Sequence, residues 1–431
     1  MRDEREAVRD PLSLVVPLVG RLEETGRASE PYQLINPAGA VEQPVAEYFA
    51  EMQAAQRTAK SIRSYGMDLL RWYRFLWAVG VEWDRAKRAD ARDFARWLRL
   101  VDKPVRVHWR HVGDASRAEG VVPVLPGAVR AGAGEVNSVT GKPSPGRKFA
   151  ASTRAHNETV VRTFYDFHLE AGNGPIINPF PLHRSRSSGR AHAHHNPMDE
   201  FRGERVGRYR PTVPKRIPRR IPDAKFNELF AGLRSHRDRA LLAFWVSSGV
   251  RSEELITCRE CDPIPGDQVI SVIRKGTRDQ QLVPASPDAF VWLRLCQEEA
   301  WAKGVPRGRR FPLWWTLRRP WRPLGYDAAR AMFDRANELL GANWTLHDLR
   351  HTASYRMAED PQLALTDVQW VLAHARLSTT QVYLTPSPDE VIAKVRGHHV
   401  RRAREAARPT PAPPADGYNP AALDVLFGGL R

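Results

Sequence analysis

The chain has 431 residues, of which 42% are hydrophobic, so it is long enough for two or three domains with buried cores. Its 66 Lys and Arg outnumber 49 Asp and Glu, and the formal net charge of +17 favours a polyanionic partner, nucleic acid first. It contains no apolar run of about 18 residues and no secretory signal pattern, and its three cysteines are too few for a disulfide framework. We therefore expect an intracellular protein without a membrane span.

Residues 1–40 are expected to form an N-terminal extension, and residues 41–180 a helical domain. Apolar residues recur there at intervals of three and four, as in Ile62, Tyr65, Leu69, Tyr73 and Leu76. The opposite face of this helix carries Arg63, Arg71 and Arg74, which we expect to contact DNA. Gly80 is expected to end the helix, and Asp90 to precede the next one.

Residues 101–150 lose this periodicity and gather Gly, Pro and Ser, which indicates a long insertion. Helical spacing returns at Val160, Phe164 and Phe167 and stops at the turn signal Asn178-Pro179.

Residues 181–221 indicate a basic linker, since the stretch Pro181 to Pro222 holds 11 Lys or Arg against three acids. A charge run is often only a solvated surface, but a strap along a duplex is an equal alternative. Arg216, Arg219 and Arg220 are therefore candidate DNA contacts. A cluster of three of the linker's histidines lacks the cysteine partners of a zinc site, and no metal is predicted there: His192, His194 and His195.

Residues 222–400 indicate a second domain of mixed type, followed by a tail at 401–431 that is basic, then Pro-rich, then apolar. Two short strands are predicted around a Lys275-Gly276 turn, where Arg278 is a further candidate DNA contact. In GVRSEEL, Gly249 is expected to end one helix and Ser252 to cap the next, which places Arg251 and Glu254 at that junction.

Two further pieces carry groups suited to phosphoryl transfer. In TLHDLRH, Thr345 is a predicted N-cap, and His347 and Arg350, three residues apart, share one helix face. The segment LTDVQWVLAHARLSTTQVY contains capping-box patterns at Thr366 and Ser378, with His374 closing a first short helix and Tyr383 early in a second. Each piece alone has an ordinary alternative, such as a surface arginine, a solvent-facing turn or a half-buried tyrosine.

Together these pieces resemble the tyrosine recombinase, or phage integrase, family, whose boxes follow the same order. GVRSEEL, RKG, HDLRH and LAHARLSTTQVY match those boxes across almost the whole second domain. The resemblance implies a mainly α fold with a small β component: a helical, SAM-like core-binding domain and a mixed α/β catalytic domain that clamp DNA. Three departures are Ala373, where the family often has Gly, and Arg274 and Thr277 beside the hairpin lysine.

The resemblance also implies the chemistry, which is DNA cleavage and rejoining through a 3′-phosphotyrosine and a Holliday junction without metal, nucleotide or other cofactor. Tyr383 is the implied nucleophile, and Lys275 the implied general acid with His374 as its rival. Glu254 resembles a supporting carboxylate. The groups implied to surround the scissile phosphate are Arg251, His347, Arg350 and His374. Because a phenol needs its proton removed before it attacks near neutral pH, His347 is the expected base or proton relay.

Several alternatives stay open at this point. His347 and His351 have the spacing of a zinc-binding helix, and Cys258 and Cys261 could form half a zinc site, but neither set has suitable further ligands. A type IB topoisomerase-like enzyme would share the chemistry, and a catalytically silent architectural protein would share only DNA binding.

The expected partner is double-stranded DNA with specific recombination sites. On paired sites we expect a homotetramer, and in free solution a monomer or weak dimer, with accessory proteins an open question. The expected location is cytoplasmic and nucleoid-associated. Neither the target sequence nor the biological role, such as integration, excision, transposition or resolution, can be taken from the sequence.

Overall fold

The computed structural model describes residues 9–104, 134–183, 206–213, 218–384, 388–406 and 419–427. The chain divides into two compact units, Met1–Lys215 and Arg216–Arg431. Helices dominate both units and the sheets are small, which confirms the predicted mainly α fold.

The first unit is a helical domain with a short antiparallel hairpin. Its elements are β1 (Arg21–Arg27), β2 (Glu30–Ile35), α1 (Gln43–Ala54), α2 (Ala59–Val79), α3 (Arg88–Leu100) and α4 (Ala151–Glu170). The apolar stripe of α2 is buried as predicted, and Gly80 ends this helix in the left-handed conformation with φ 67°. Trp72 lies at the centre of the core, where its indole Nε1 donates to the Tyr165 hydroxyl at 2.9 Å.

A buried carboxylate joins α2 to α4. Asp68 is 4% exposed and accepts hydrogen bonds from Asn157 Nδ2 at 3.2 Å and from Arg71, while His156 Nδ1 lies 2.6 Å from its second oxygen. Burying a carboxylate costs free energy unless it is hydrogen-bonded, and here several donors meet that cost.

The hairpin shows that the N-terminal extension is partly integral to this unit. Leu34 on β2 is 1% exposed within the core. Arg74 donates to the backbone carbonyls of Leu18 at 3.2 Å, Val19 at 2.7 Å and Gly20 at 2.8 Å. This arginine therefore anchors the segment that leads into β1.

The insertion predicted at 101–150 has paired ends. Lys103 donates its backbone N–H to the Arg147 carbonyl at 2.9 Å, and Asp102 forms ion pairs with Arg147 and Lys148, both at 2.9 Å. The middle of the insertion, residues 105–133, and most of the basic linker, residues 184–205 and 214–217, lie outside the described residues.

The second unit is built around one central helix. Its helices are α5 (Asp223–Ala231), α6 (His236–Ser248), α7 (Ser252–Ile256), α8 (Pro287–Ala302), α9 (Tyr326–Leu339), α10 (Leu346–Ala358), α11 (Leu365–Leu372), α12 (Leu377–Gln381), α13 (Pro388–Ala406) and α14 (Pro420–Leu426). Helix α6 packs against α8 and α10, with Phe244 and Trp245 at most 1% exposed.

A three-stranded antiparallel sheet completes this unit in the order β3 (Pro263–Ile264), β4 (Val269–Ile273) and β5 (Gln280–Pro284). The predicted hairpin around Lys275-Gly276 is confirmed. Its turn holds Gly276 at φ 109° and Arg278 at φ 63°, and glycine adopts such a backbone at little cost.

Four helices begin with an acidic side chain that accepts the backbone N–H of the residue before the helix. The pairs are Asp90 with Lys87, Glu254 with Arg251, Asp348 with Thr345, and Asp367 with Ala364. This is the reciprocal half of a capping box, and it explains several boundaries.

The predicted N-cap at Thr345 is confirmed, but five other predicted boundaries are wrong. Helix α3 begins at Arg88 with Lys87 as its cap, so Asp90 lies in its first turn and not before it, and α4 ends at Glu170, well before the predicted stop at Asn178-Pro179. Helix α7 is capped at Arg251 rather than Ser252, and α11 at Ala364 rather than Thr366. The cap of α12 is Arg376, not Ser378. Tyr383 consequently lies after α12, in a 3₁₀ turn at Val382–Leu384, and not early in the helix.

None of the helices in the described parts of the chain is long and apolar enough to cross a membrane.

Candidate active site

A buried carboxylate holds the two segments that carry Arg251 and Lys275. Glu254 is 2% exposed, and its Oε1 accepts from Arg251 Nη1 at 2.8 Å and from the Lys275 backbone N–H at 2.9 Å. Its Oε2 accepts from Arg274 Nη1 at 3.0 Å. Burial alone raises the pKa of Glu254, but the hydrogen bonds from Lys275 and Arg251 and the Arg251 charge outweigh burial and bring that pKa to about 2.

The end of α11 is held by side chains from the hairpin and from α10. The last carbonyls of a helix have no partners within it and lie at the negative end of its dipole, so cationic donors suit them. Three successive carbonyls accept from side chains, of which the last two are cationic: Trp370 from Gln281 at 2.9 Å, Val371 from Arg274 at 2.6 Å, and Leu372 from Arg350 at 2.5 Å.

Arg350 is the most deeply placed cation of the site, at 2% exposed. Its second amino group, Nη1, donates to the Gly249 carbonyl at 2.6 Å. Burial lowers the pKa of Arg350 to about 10, and the nearby charge of Arg251 contributes to the decrease. The guanidinium therefore stays charged at neutral pH, and its carbonyl contacts fix its plane.

Tyr383 lies against α10 and the segment that follows α11. Its side chain packs edge-on against Tyr355, with 5.3 Å between ring centroids, and lies parallel to the His374 ring at 6.2 Å. Its hydroxyl is 2.9 Å from His351 Nδ1. Burial raises the pKa of Tyr383 above 10.0, while the Ser354 hydroxyl and the Arg350 charge partly oppose this.

His374 is fixed by both its backbone and its side chain. Its Nδ1 lies 2.9 Å from Thr380 Oγ1, and its carbonyl accepts from Gln369 Nε2 at 2.9 Å. Burial and the neighbouring charges of Arg350 and Arg251 lower the pKa of His374 to about 4. The imidazole is therefore neutral near pH 7 in the protein without DNA.

Ala373, the position where the family often has glycine, adopts φ 47° and ψ 53° as the C-cap of α11. This left-handed conformation costs an L-residue free energy that glycine does not lose. The left-handed backbone at the end of α11 thus explains why the family often has glycine at this position. Ala373 adopts that conformation in spite of its Cβ.

Lys275 and His347 lie at the exposed side of the site. The Lys275 side chain is 65% exposed at the hairpin tip, with its Nζ 3.2 Å from Glu253 Oε2. His347 is exposed on α10, where its ring centroid lies 4.4 Å from that of His351.

The structure thus brings together the sequence-predicted groups of the second unit. Arg251, Arg274 and His347 all act electrostatically on His374, and Arg350 acts on both His374 and Tyr383. Lys275 is connected to this group because its backbone N–H donates a hydrogen bond to Glu254, which also holds Arg251.

Two residues at the heart of the site were not predicted as functional. Arg274, noted in the sequence only as a departure, is 3% exposed and links Glu254 to α11. His351 was considered only as a zinc ligand, although its position four residues after His347 on one helix face is also the spacing of neighbouring side chains.

The candidate DNA-binding arginines have varied surroundings. Arg63 and Arg278 are exposed. Arg71 pairs with Asp68 and lies over the Phe149 ring, and Arg74 anchors the N-terminal segment, so both have roles within the protein. Arg220 pairs with Glu359, Arg219 is exposed, and Arg216 lies outside the described residues.

Within the described ranges, no group of three or more His, Cys, Asp or Glu side chains is arranged to hold a metal ion. Cys258 is buried and donates from Sγ to the Glu254 carbonyl at 3.3 Å, while Cys261 is exposed. The linker histidines 192, 194 and 195 lie outside those ranges.

Comparison with known proteins gives matches in both units. The model of the phage integrase family matches residues 220–390, and that of the phage integrase N-terminal SAM-like domain matches residues 45–104. Tyrosine recombinase XerC of Xylella fastidiosa (strain M23) is 34% identical over 178 residues, which are 40% of this chain and 56% of that protein. Tyrosine recombinase XerD of Yersinia pestis is 26% identical over 206 residues, 44% of this chain and 65% of that protein. The alignment with XerC therefore spans little more than half of that relative.

Among solved structures, the Tn1549 transposon integrase in complex with transposon right end DNA is similar in fold. The alignment covers 84% of this chain and 98% of that one, with a TM-score of 0.51 and 13% sequence identity. Since both the SAM-like model and the integrase model match in chain order, over residues 45–104 and 220–390, the chain belongs to the phage integrase, or tyrosine recombinase, family.

Proposed function

We propose that this protein is a site-specific recombinase that breaks and rejoins DNA through a covalent bond between Tyr383 and a backbone phosphate. The observation that carries the proposal is the convergence of four separate chain segments. Tyr383 lies beside His374, and the charge of Arg350 acts on the Tyr383 hydroxyl. The charge of Arg251 acts in turn on Arg350.

The two arginines suit the charge that develops during attack. A phosphodiester is already negative, and its transition state concentrates further charge on the non-bridging oxygens. Arg251 and Arg350 can donate paired hydrogen bonds to those oxygens, and the positive charge of a guanidinium offsets the developing negative charge. Glu254 holds Arg251 by an ion pair of 2.8 Å, so it is a positioning residue rather than a reacting one.

Leaving-group departure needs a proton, and Lys275 is our candidate donor. The Lys275 ammonium extends from the tip of the hairpin, where Gly276 adopts φ 109°. The backbone N–H of Lys275 donates a hydrogen bond to Glu254, which holds the base of the side chain in place. The ester formed at the 3′ phosphate retains the energy of the broken bond. Rejoining by the free 5′ hydroxyl therefore requires no external energy source.

The substrate in this proposal is double-stranded DNA bearing specific recombination sites, which implies a nucleoid-associated, cytoplasmic location. We assign residues 41–180 to a core-binding domain and 222–400 to a catalytic domain, joined by the basic linker 181–221. Phosphate contacts are expected first at Arg63, Arg219 and Arg278, which are exposed, and at Arg216. Arg71, Arg74 and Arg220 would have to exchange their contacts within the protein for contacts with phosphate.

We further propose that assembly on paired sites is tetrameric and uses α14. Val425 and Leu426 at the end of α14, and Phe427 directly after it, are 84%, 76% and 69% exposed. Such apolar side chains favour burial against another surface, here a neighbouring protomer. Truncation after Ala406 should then reduce cooperative assembly on two-site DNA while leaving binding to one site intact; unchanged cooperativity would count against this role.

The function is tested by recovering DNA that stays attached to the protein after denaturation and sequencing it. A recombinase should be joined to one recurrent sequence and should form Holliday junctions when two copies of that sequence are supplied. Attachment to unrelated sequences with relaxation of supercoiled DNA would instead indicate a topoisomerase-like enzyme. Tight binding without any attachment would indicate an architectural protein.

A further inference from the structure

Within the proposed site, two side chains make polar contact with the Tyr383 hydroxyl, the His351 imidazole and the Ser354 hydroxyl, and of these only the imidazole is a base. His351 Nδ1 lies 2.9 Å from the phenol oxygen, a hydrogen-bond distance, and the two ring centroids are 5.8 Å apart. His351 directly follows Arg350 on α10, so the segment that presents a phosphate-binding guanidinium also presents this imidazole.

The other aromatic neighbours of Tyr383 contact its ring through their own rings. His374 lies parallel to the phenol ring, and its Nδ1 is engaged by Thr380 Oγ1 at 2.9 Å. Tyr355 packs edge-on, and its own hydroxyl donates to the Pro218 carbonyl at 2.8 Å. His347 lies one turn away on α10, against the ring of His351.

We propose that His351 is a further catalytic residue, the base that receives the proton of the Tyr383 hydroxyl as the phenol oxygen attacks phosphorus. This inference rests on the proposed function. It moves the role of base, which the sequence led us to expect at His347, to His351, and His347 is then a ring neighbour of that base.

The proposed step balances as follows. In the tautomer with its proton on Nε2, the His351 Nδ1 lone pair accepts the hydroxyl hydrogen bond. The O–H bond of Tyr383 breaks and its proton moves to Nδ1, while the phenol oxygen forms a bond to phosphorus. The bond from phosphorus to the 5′ oxygen breaks, and that oxygen takes a proton from Lys275.

The need for a base follows from the surroundings of the phenol. Burial raises the pKa of Tyr383 above 10.0, so near pH 7 the hydroxyl keeps its proton until another group removes it. General bases typically accelerate such steps by roughly 100-fold to 10,000-fold.

Two variants of His351 distinguish its role as a hydrogen-bond acceptor for the Tyr383 hydroxyl from its role as the base that takes the proton. His351→Asn can keep an acceptor oxygen near the place of Nδ1 but is not a base. His351→Leu removes both properties. His398→Leu, which removes an exposed histidine of α13, serves as the matched control.

A first measurement needs no DNA and therefore does not depend on the proposed function. Tyrosines labelled with ¹³C at Cζ give separate NMR signals, and Tyr383→Phe identifies the one that belongs to Tyr383. We expect His351→Leu to shift this signal and its alkaline titration midpoint, while His398→Leu leaves both unchanged. An unchanged Tyr383 signal in folded His351→Leu would overturn the inference.

A second measurement follows the rate of covalent attachment to the DNA captured by the wild-type protein. We expect His351→Asn to be slower by roughly 100-fold or more near pH 7. Its rate should then rise about tenfold for each pH unit, because the attacking phenolate must form without help, whereas the wild-type rate levels off once its base is unprotonated. The deficit should therefore shrink markedly at about pH 9.

The outcomes distinguish the inference from the function on which it rests. If the wild type attaches to DNA and His351→Asn attaches equally fast at every pH, His351 is not the base. A slow His351→Asn whose deficit stays constant with pH also contradicts base catalysis and leaves only a packing role. If the wild type itself forms no attachment, the proposed function fails, whatever the NMR signals show.

Discussion

Arg274 and Glu254 form an ion pair with 3.0 Å between Nη1 and Oε2, and their side chains are 3% and 1% exposed. The same guanidinium donates to the Val371 carbonyl and to Gln281 Oε1. One buried arginine therefore joins the hairpin, α7 and the end of α11, which are the elements that carry Lys275, Arg251 and His374.

This pair predicts a large effect of Arg274→Met on stability. Removing one partner of a buried ion pair leaves the other charge unsatisfied, and we expect the free energy of unfolding to fall by about 3 kcal/mol. The exposed pair Arg294–Glu298 provides the control, since Arg294→Met should change that free energy by less than about 1 kcal/mol. Urea denaturation of both variants measures the difference, and equal small effects would contradict this role of Arg274.

Glu254 predicts a pH dependence of stability. Its pKa is about 2 in the folded protein against an ordinary value of 4.5. A depressed carboxyl pKa stabilises the fold above the unfolded pKa, and that contribution is lost as pH falls through the folded pKa. The stability advantage of wild type over Glu254→Gln should therefore shrink between about pH 4.5 and about pH 2. Denaturation curves across this range measure it, and an advantage independent of pH would contradict the assigned pKa.

Much of the fold follows from local sequence patterns. The apolar stripe of α2 and the left-handed Gly80 are local features, as are the β4–β5 hairpin and the Thr345 cap, and all four were predicted. Local patterns failed where two groups competed for one role, as at Ser252 and Thr366. There an acid three residues after the true cap supplies the capping hydrogen bond.

The order of the motifs in the sequence predicted which residues form the candidate site. It did not predict the contacts between those motifs. His351 and Tyr383 are 32 positions apart, so their hydrogen bond depends on how α10 packs against the turn after α12. The burial of Arg274 depends likewise on the approach of α11. The β1–β2 hairpin was missed within the stretch assigned to an N-terminal extension, although it places Leu34 in the core.

Ala373→Gly should stabilise the protein. The left-handed backbone at φ 47° strains an alanine by roughly 1 kcal/mol, and glycine relieves this at some entropic cost in the unfolded chain. We expect a net gain of up to about 1 kcal/mol. Ala331→Gly, at an exposed position within α9, should instead cost about 0.5–1 kcal/mol. Thermal and urea unfolding of the two variants measure this difference. If Ala373→Gly and Ala331→Gly lower the free energy of unfolding equally, the backbone at Ala373 is not strained.

The assignment of the general acid predicts a specific rescue. In the protein without DNA, His374 has its pKa lowered to about 4 and is neutral near pH 7, whereas the Lys275 ammonium lies at the exposed hairpin tip. A sulfur at the 5′ bridging position leaves without protonation, so Lys275→Ala should cleave this substrate at close to the wild-type rate but cleave normal DNA slowly. Arg350→Ala should show no such rescue, because its role is charge stabilisation. Rescue of His374→Ala, with Lys275→Ala remaining slow, would reassign the acid to His374.

The central claim, that Tyr383 becomes joined to DNA, is tested most directly by mass spectrometry of the protein after its DNA complex is denatured and digested. Wild type and Tyr383→Phe would be compared on the same captured sequence, with equal binding of the two established beforehand. The predicted result is a nucleotide attached through phosphate to Tyr383 in the wild type, and no attached peptide in Tyr383→Phe. A nucleotide attached to another residue, or an adduct that persists in Tyr383→Phe, would contradict the account.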